Sequence, residues 1–402
     1  MKLPARERTS ITVAVMDVHA LGMLGVLRSL GRAGHHTIGC SSARTAIGLA
    51  SRYNREPTVC PGYDAGDFLP WLRALTRERA LQAIIPTEAF LIAIRPVFDE
   101  FAHLLPLVPS GHALYPCFSK CEVVQSFALS DDPALAAHLP RSVVLEHGDD
   151  PRHCLAQAAL GAPVWLKGDA VHATGQPKST VRRAASLEEA VTAARELLSE
   201  YRVVLAQSDA PEPVQVGANF LLHQGEVVAE SMMLSLHDSP HTGGTSGLRK
   251  SWWHAGIRDD ALRRLQALRW NGVAMVEYKW DPATDAFSFI EVNTRFWAGL
   301  HLDLLSDVDY PRLLIDCHLG QPVPGAVRGR QGVVSRWTLP TDWGHLLSRV
   351  RDPAVRPLDR LRSMLEFCWL FAAPGVRDDY RFPGDAALYW RQWRSFLSGK
   401  PR

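Results

Sequence analysis

Glu277 and Glu291 lie on two apolar stretches, GVAMVEYKW and AFSFIEVN, joined by the turn-forming DPATD. With that turn centred near Thr284, antiparallel pairing sets Glu277 opposite Glu291, and the period of two brings Asn293 and Arg295 onto the same face. Like charges facing each other destabilise a sheet. A hairpin that keeps them needs a cation between them, and two carboxylates with an amide are hard oxygen donors that suit magnesium rather than zinc. Arg295 then offers a planar fork of donors to a phosphate or carboxylate beside the metal. The competing reading has the acids solvated, or paired with Lys279 and Arg295. The apolar VAMV and FSFI runs oppose it, because they bury one side of the sheet, where two acids without a cation raise each other's pKa.

These residues need elements to hold them. ITVAVM from Ile11 reads as a strand, LGMLGVLRSLGRAG as a helix and the run around Thr37 to Cys40 as a second strand. The pattern recurs as FLPWLRALTRERA, LQAIIPT and a helical stretch from Glu88 to His103, which together predict a parallel α/β domain. Gly22 and Gly25 are expected where helix and strand pack closely. The turn DVHALGMLG lacks the G-x-G-x-x-G spacing of a dinucleotide fold, so a Rossmann-like scaffold without NAD or FAD is preferred.

Further on, SKCEVVQSFALS predicts a helix with Lys120 in its first turn, and RSVVLE a strand. APVWLKGD is a strand delivering Lys167 at its end, HATGQPKST a polar loop, SLEEAVTAARELLSEY a helix capped by Ser186, and VVLAQ a strand. VQVGANFLLHQGEVVAESMML reads as two strands about His223-Gln224-Gly225. SLHDSPHTGGTSGLRKSW is rich in turn formers, and DDALRRLQALRW is a helix. Beyond about Val327 no motif is legible, and Trp337, Trp343 and Trp369 are expected in packing rather than chemistry.

The run GVAMVEYKWD followed by FIEVNTRFWAGLHLDLLSDVDYPRLLIDCHLG resembles the ATP-grasp superfamily, specifically its carboxylate-amine ligase-like members, over roughly residues 10 to 325. The resemblance implies α/β and α+β architecture: a Rossmann-like pre-ATP-grasp domain (1–114), a two-lobed ATP-grasp fold with a small lobe (115–184) and a large, metal-bearing lobe (185–325), and a C-terminal extension (326–402) of unknown role. It makes Glu277, Glu291 and Asn293 magnesium ligands, and Arg295 a binder of the transferred phosphate or acyl phosphate. Lys120 and Lys167 match its two phosphate-contacting lysines. Its glycine-rich loop corresponds to Asp169–Lys178, where Gly175 is the only interior glycine and Lys178 or His172 are candidate substitutes. The hinge after VVLAQ brings Gln207 to adenine, with Ser208 where the family often has a glutamate. HTGGTSGLRKSW resembles the substrate-side loop, where Arg249 or Lys250 would stabilise charge on the γ-phosphate or grip a carboxylate; His241 there is a weaker candidate base.

The implied reaction is a two-step ligation: ATP activates a carboxylate as an acyl phosphate, which an amine captures. A carboxylase or carbamoyl-phosphate-type use of the same cleft, and a degenerate ATP-binding scaffold without turnover, stay open as alternatives. Composition agrees with a soluble globular protein: 402 residues, 47% hydrophobic and 21% charged, long enough for several domains sharing a cleft. The 44 basic and 42 acidic residues leave a net charge of +2, without the footprint of a nucleic-acid binder. Seven scattered cysteines without a C-x-x-C pair, and an N-terminal apolar stretch broken by Asp17 and His19, point to the cytoplasm. Expected partners are small-molecule carboxylate and amine substrates, with no nucleic acid or membrane, and a homodimer left open.

Overall fold

The computed structural model of the chain describes residues 10–169, 171, 180–211 and 213–398. Its first unit is a parallel sheet of β1 (Thr12–Val15), β2 (His36–Ser41), β3 (Thr58–Val59) and β4 (Ala83–Ile85), in the order β3-β2-β1-β4. β1 lies between β2 and β4, and Val13, Ala14 and Val15 are fully buried, as befits a strand covered on both faces. The Leu21–Arg32 helix covers one face. Gly22 and Gly25, however, serve a different neighbour from the one expected. A Cβ on Gly22 would stand 2.4 Å from the Trp297 carbonyl oxygen, and one on Gly25 would stand 3.1 Å from the Leu300 side chain. The two glycines let this helix press against the chain just beyond the carboxylate hairpin. The helical stretch predicted over Glu88–His103 is also broken, into Glu88–Ala93, Arg95–Val97, Phe98–Phe101 and Ala102–Leu104. Pro96 is the cause: it lacks the N–H and crowds the preceding turn.

The second unit is an antiparallel sheet of β5 (Ser142–Glu146), β6 (Val164–Gly168), β7 (Thr180–Ala184) and β8 (Val203–Ser208), in the order β5-β8-β6-β7. The Pro151–Ala158 and Leu187–Glu200 helices pack on it over Leu145, Leu166, Leu197 and Val204. Ser186 accepts from Glu189 N while Glu189 accepts from Ala185 N, so the second helix starts where its sequence predicts. The expected lobe boundary at residue 184 is corrected: β8 sits between β5 and β6, so this lobe runs through Ser208.

The third unit is a large sheet of β9 (Val214–His223), β10 (Glu226–Ser239), β11 (Thr245–Trp252), β12 (Gly272–Trp280), β13 (Phe287–Asn293), β14 (Val327–Arg328), β15 (Val334–Arg336) and β16 (Val376–Asp378). Its order is β13-β12-β9-β10-β11-β15-β16, with β14 beside β10. Two expectations change here. The turn-former-rich stretch before Trp252 is mostly strand, since β10 runs to Ser239 and β11 starts at Thr245; Gly243 and Gly244 take φ of +126° and +146° in the short connection. The C-terminal extension supplies β15 and β16 to the same sheet and is tied back to the start of the chain. Arg28, fully buried on the first helix, donates to Asp385 (2.9 Å) and to the carbonyls of Asp379 (2.7 Å) and Tyr380 (3.1 Å).

Trp343 packs against Phe367 and Phe396, whereas Trp369 is 61% exposed in line with Leu358, Leu361 and Leu365 of the Pro357–Trp369 helix. Among the described residues no helix is long and apolar enough to cross a membrane.

Candidate functional site

β12 and β13 pair with Glu277 opposite Glu291 and Met275 opposite Asn293, and an irregularity follows directly between Glu277 and Tyr278. Asn293 Nδ2 donates to Oε1 of Glu277 (2.8 Å) and of Glu291 (3.2 Å). Arg295, just past the strand, donates to Asn293 Oδ1 at 3.2 Å. Two side chains from elsewhere complete the cluster. Gln215 of β9 donates to the second oxygen of Glu277 at 2.8 Å, and Glu88, at the carboxyl end of the parallel sheet, stands 3.8 Å from Arg295.

Two lysines approach from the other side. Lys120 opens the Lys120–Ala128 helix and bonds Glu291. A cation gains nothing from a helix N-terminus. Burial works against this one too, but Glu291, Glu277 and Glu88 outweigh it and hold the ammonium above its ordinary pKa. Lys167 on β6 donates to Gln207 Oε1 on β8 at 2.7 Å. Asp169 links the two lysine-bearing elements, accepting from the Ser119 hydroxyl (2.6 Å) and the Cys121 N–H (3.3 Å).

The acids respond in opposite senses. Burial and the facing Glu291 push Glu277 up, whereas Glu291, although buried, is held well down by Lys120 and Lys167. The pair therefore carries an asymmetric charge that a cation between the carboxylates would even out. Among the described residues no three His, Cys, Asp or Glu side chains gather as a metal centre. The donor set is two acids and an amide, and it fits a hard cation: the Asn293 Nδ2 hydrogens bond both carboxylates from one position, so a positive pole already sits between them.

The lysines, Gln207, Ser208 and Glu291 line a cleft of about 520 Å³ between the small sheet and the large one. A cavity of about 280 Å³ adjoins it, sharing Gln215, Gly244, Thr245 and Glu291 and adding Glu277, Arg295 and Arg249.

Solved structures share this architecture. The chain superposes on biotin carboxylase from Campylobacter jejuni in complex with β,γ-ATP, with a TM-score of 0.59 and 17% identity over 79% of this chain and 72% of that one. N5-carboxyaminoimidazole synthetase from Staphylococcus aureus complexed with ADP gives a TM-score of 0.62 and 12% identity, covering 81% and 82%. An L-amino acid ligase from Bacillus licheniformis gives 0.55 and 15%, covering 78% and 75%. The fold is that of the ATP-grasp enzymes. No protein-family profile matches the sequence, and no curated protein does.

On the ATP-grasp fold, the structure gathers Glu291, Lys120, Lys167 and Gln207 at the cleft and Glu277 and Arg295 at the adjoining cavity, with Asn293 bonded to both acids. Ser208 also lines it, and its N–H is engaged with the Arg141 carbonyl at 2.8 Å. Arg249 belongs to the adjoining cavity but is 1% exposed and already paired with Asp379 of the C-terminal segment. Among the described residues its Nε and Nη1 have no partner. Lys250 is the exception: alternation along β11 puts it on the opposite face from Arg249, exposed and away from the cavities. His241 pairs with Asp352 at 3.0 Å, as a structural contact of the β10–β11 connection. Gly175, Lys178 and His172 lie outside the described residues.

Sequence reasoning missed Gln215, Glu88 and Asp169. Only Glu88 left a signal, because it follows β4 at the strand's carboxyl end, where ligands of open α/β sheets bind.

Burial, reinforced by neighbouring Lys120, pushes Lys167 down to about 8. A lysine is cationic below its pKa, so polyphosphate affinity of the free protein should be retained at pH 7 and fall as pH rises through 8 to 9. Nucleotide titration by calorimetry across that range checks it; affinity flat to pH 9.5 would contradict a phosphate contact by Lys167.

Proposed function

We propose that the chain is an ATP- and magnesium-dependent ligase that activates a substrate carboxylate as an acyl phosphate and joins it to an amine. The reading is carried by one observation: Glu291, which faces Glu277 across the hairpin and accepts from Asn293, lines one cleft together with Lys120 and Lys167. The nucleotides in the C. jejuni and S. aureus complexes support it, and so does the likeness to the B. licheniformis protein, named an L-amino acid ligase.

Glu277, Glu291 and Asn293 would hold the magnesium. ATP supplies the phosphoryl group, and the magnesium neutralises phosphate charge. The chain's own residues position and neutralise. Lys120 and Lys167 bring cationic donors to the phosphates, Gln207 and Ser208 line the hinge side of the cleft, and Arg295 offers its fork beside the metal ligands. Phosphoryl transfer asks for little covalent help from a protein, so a cleft built of charge and geometry suffices. Arg249, two of whose donors have no partner among the described residues, is a second cation, beside Arg295, in the adjoining cavity. Seven free cysteines agree with a cytoplasmic location.

A screen of amino acids and small carboxylic acids with ATP, magnesium and hydroxylamine tests the proposal. The right acid should raise ADP release well above background and yield an acyl hydroxamate in step with it. ATP binding without hydroxamate from any acid would instead mark a nucleotide-binding scaffold. A second reading, carboxylation, is favoured by the likeness to biotin carboxylase and N5-carboxyaminoimidazole synthetase. Bicarbonate-dependent ADP release that needs no other acid separates it from ligation.

A further inference from the structure

The C-terminal segment, which carried no legible motif, encloses a cavity of about 340 Å³. That is the low end for small-molecule sites. Arg336, Asp378 and Asp379 line it, and Arg377 and Arg381 are exposed. These last two form no ion pair among the described residues.

Among the described residues, one polar atom on each of three side chains lining this cavity has no hydrogen-bond partner. Arg336 is 2% exposed; it spends Nε on Asp342 and Nη2 on the Phe367 carbonyl, and its Nη1 has no partner. His301 is equally buried. Its Nε2 faces Arg28 Nη1 at 2.9 Å, and a guanidinium can only donate, so the ring proton is on Nδ1, which also lacks a partner. Burial, with Arg28 and Arg249 nearby, keeps the ring neutral by pushing its pKa well below the usual value. On the acceptor side, Asp379 gives one oxygen to Arg249, while Oδ1 has no hydrogen bond of normal geometry among the described residues, with the Ser335 hydroxyl beside the carboxylate. Buried polar groups without partners are uncommon in native proteins and call for an explanation.

The remaining wall is apolar, with Leu370, Phe371 and Phe382, and the Arg336 guanidinium lies 4.6 Å over the Phe371 ring. A ligand bearing an anionic end, a cationic end and an apolar body satisfies all three at once: arginines for a carboxylate, Asp378 and Asp379 for an ammonium, and the aromatic wall for a side chain.

We propose that this cavity is a second ligand site, distinct from the ATP-grasp cleft, that binds a free α-amino acid with an apolar side chain. The Arg249–Asp379 pair separates it from the cavity beside the metal ligands, since Asp379 lines one and Arg249 the other. The site stands whether or not the cleft performs the ligation proposed above.

Calorimetric titration of the full chain with each of the twenty L-amino acids, without nucleotide, tests it. Leucine, phenylalanine or a similar member of the panel should bind, and 3-phenylpropionate, which lacks the ammonium, should bind at least tenfold more weakly than phenylalanine. The double variant Arg377→Glu/Arg381→Glu, both changes being at exposed positions, should weaken amino-acid binding at least tenfold while leaving MgATP affinity unchanged. No binding by any amino acid overturns the proposal. So does binding that survives the double charge reversal, which would put the amino acid in the cleft instead, and so does equal affinity for the deaminated analogue.

Discussion

Replacing Glu291 with alanine is expected to lower carboxylate-dependent ADP release by at least about 10²- to 10³-fold, the scale on which removing one group that stabilises developing charge acts. Glu291 accepts from Lys120 and Asn293 and faces Glu277 across the hairpin. The variant therefore loses a proposed metal ligand and the partner of a phosphate-side lysine together. Glu291→Gln keeps the shape and a hydrogen-bond acceptor but not the charge, so it should be nearly as inactive. Circular dichroism and thermal unfolding should stay close to those of the parent, because β13 is an edge strand and the carboxylate faces the cleft rather than the core. Steady-state ADP release at saturating magnesium, with the acid found by the hydroxylamine screen, is the measurement. Turnover within tenfold of the parent in the alanine variant would remove Glu291 from the metal set.

The second large effect concerns stability. Arg28→Ala is expected to destabilise the chain by about 3–5 kcal/mol, the usual cost of leaving a buried charge without its partner. Arg28 and Asp385 are 0% and 3% exposed in their side chains, and Asp385 also accepts from Ser51 Oγ (2.7 Å) and the Arg52 N–H (3.0 Å). The deletion would leave the Asp385 carboxylate buried and two carbonyls of the C-terminal segment without a donor. Urea unfolding compares Arg28→Ala, Asp385→Ala and the double variant. The double should cost clearly less than the sum of the singles, because the two residues share one interaction. Additive losses would show that Arg28 acts by packing alone. Limited proteolysis should also cut the variant first after β16, where the clamp holds the segment.

Some of the site was legible because it is local. β12 and β13 are joined by a short turn, so turn position and the period of two were enough to set Glu277 against Glu291, and the register follows that expectation. The two lysines came from the resemblance rather than from spacing, since nothing near Lys120 or Lys167 shows that their elements converge. Gln215 carried no signal at all. It reaches Glu277 because β9 lies beside β12, a pairing between strands separated by a hairpin and a helix.

The same distinction explains the errors. Turn formers between Ser235 and Trp252 predicted a loop, but pairing of β11 with β15 on one side and β10 on the other holds most of that stretch extended. Strand preference is largely a matter of what neighbours supply, and the neighbour here comes from a segment that no motif marked. Lys250 fell on the wrong face for the same reason: adjacency in a loop keeps two basic residues together, whereas a strand sends them apart. The lobe boundary at 184 failed because β8 returns to the centre of a sheet that the chain had already left.

The sequence by itself determined the hairpin and its facing acids, the capped helices and the parallel βα order of the first unit, all of which rest on contacts within a few residues or one turn. Only the tertiary structure decided that Arg249 is paired with Asp379, that Glu88 and Gln215 join the cluster, and that the C-terminal segment completes the large sheet and encloses a second cavity. Those depend on which distant strands and helices pack together, and that is set by burial summed over the whole chain rather than by any local spacing.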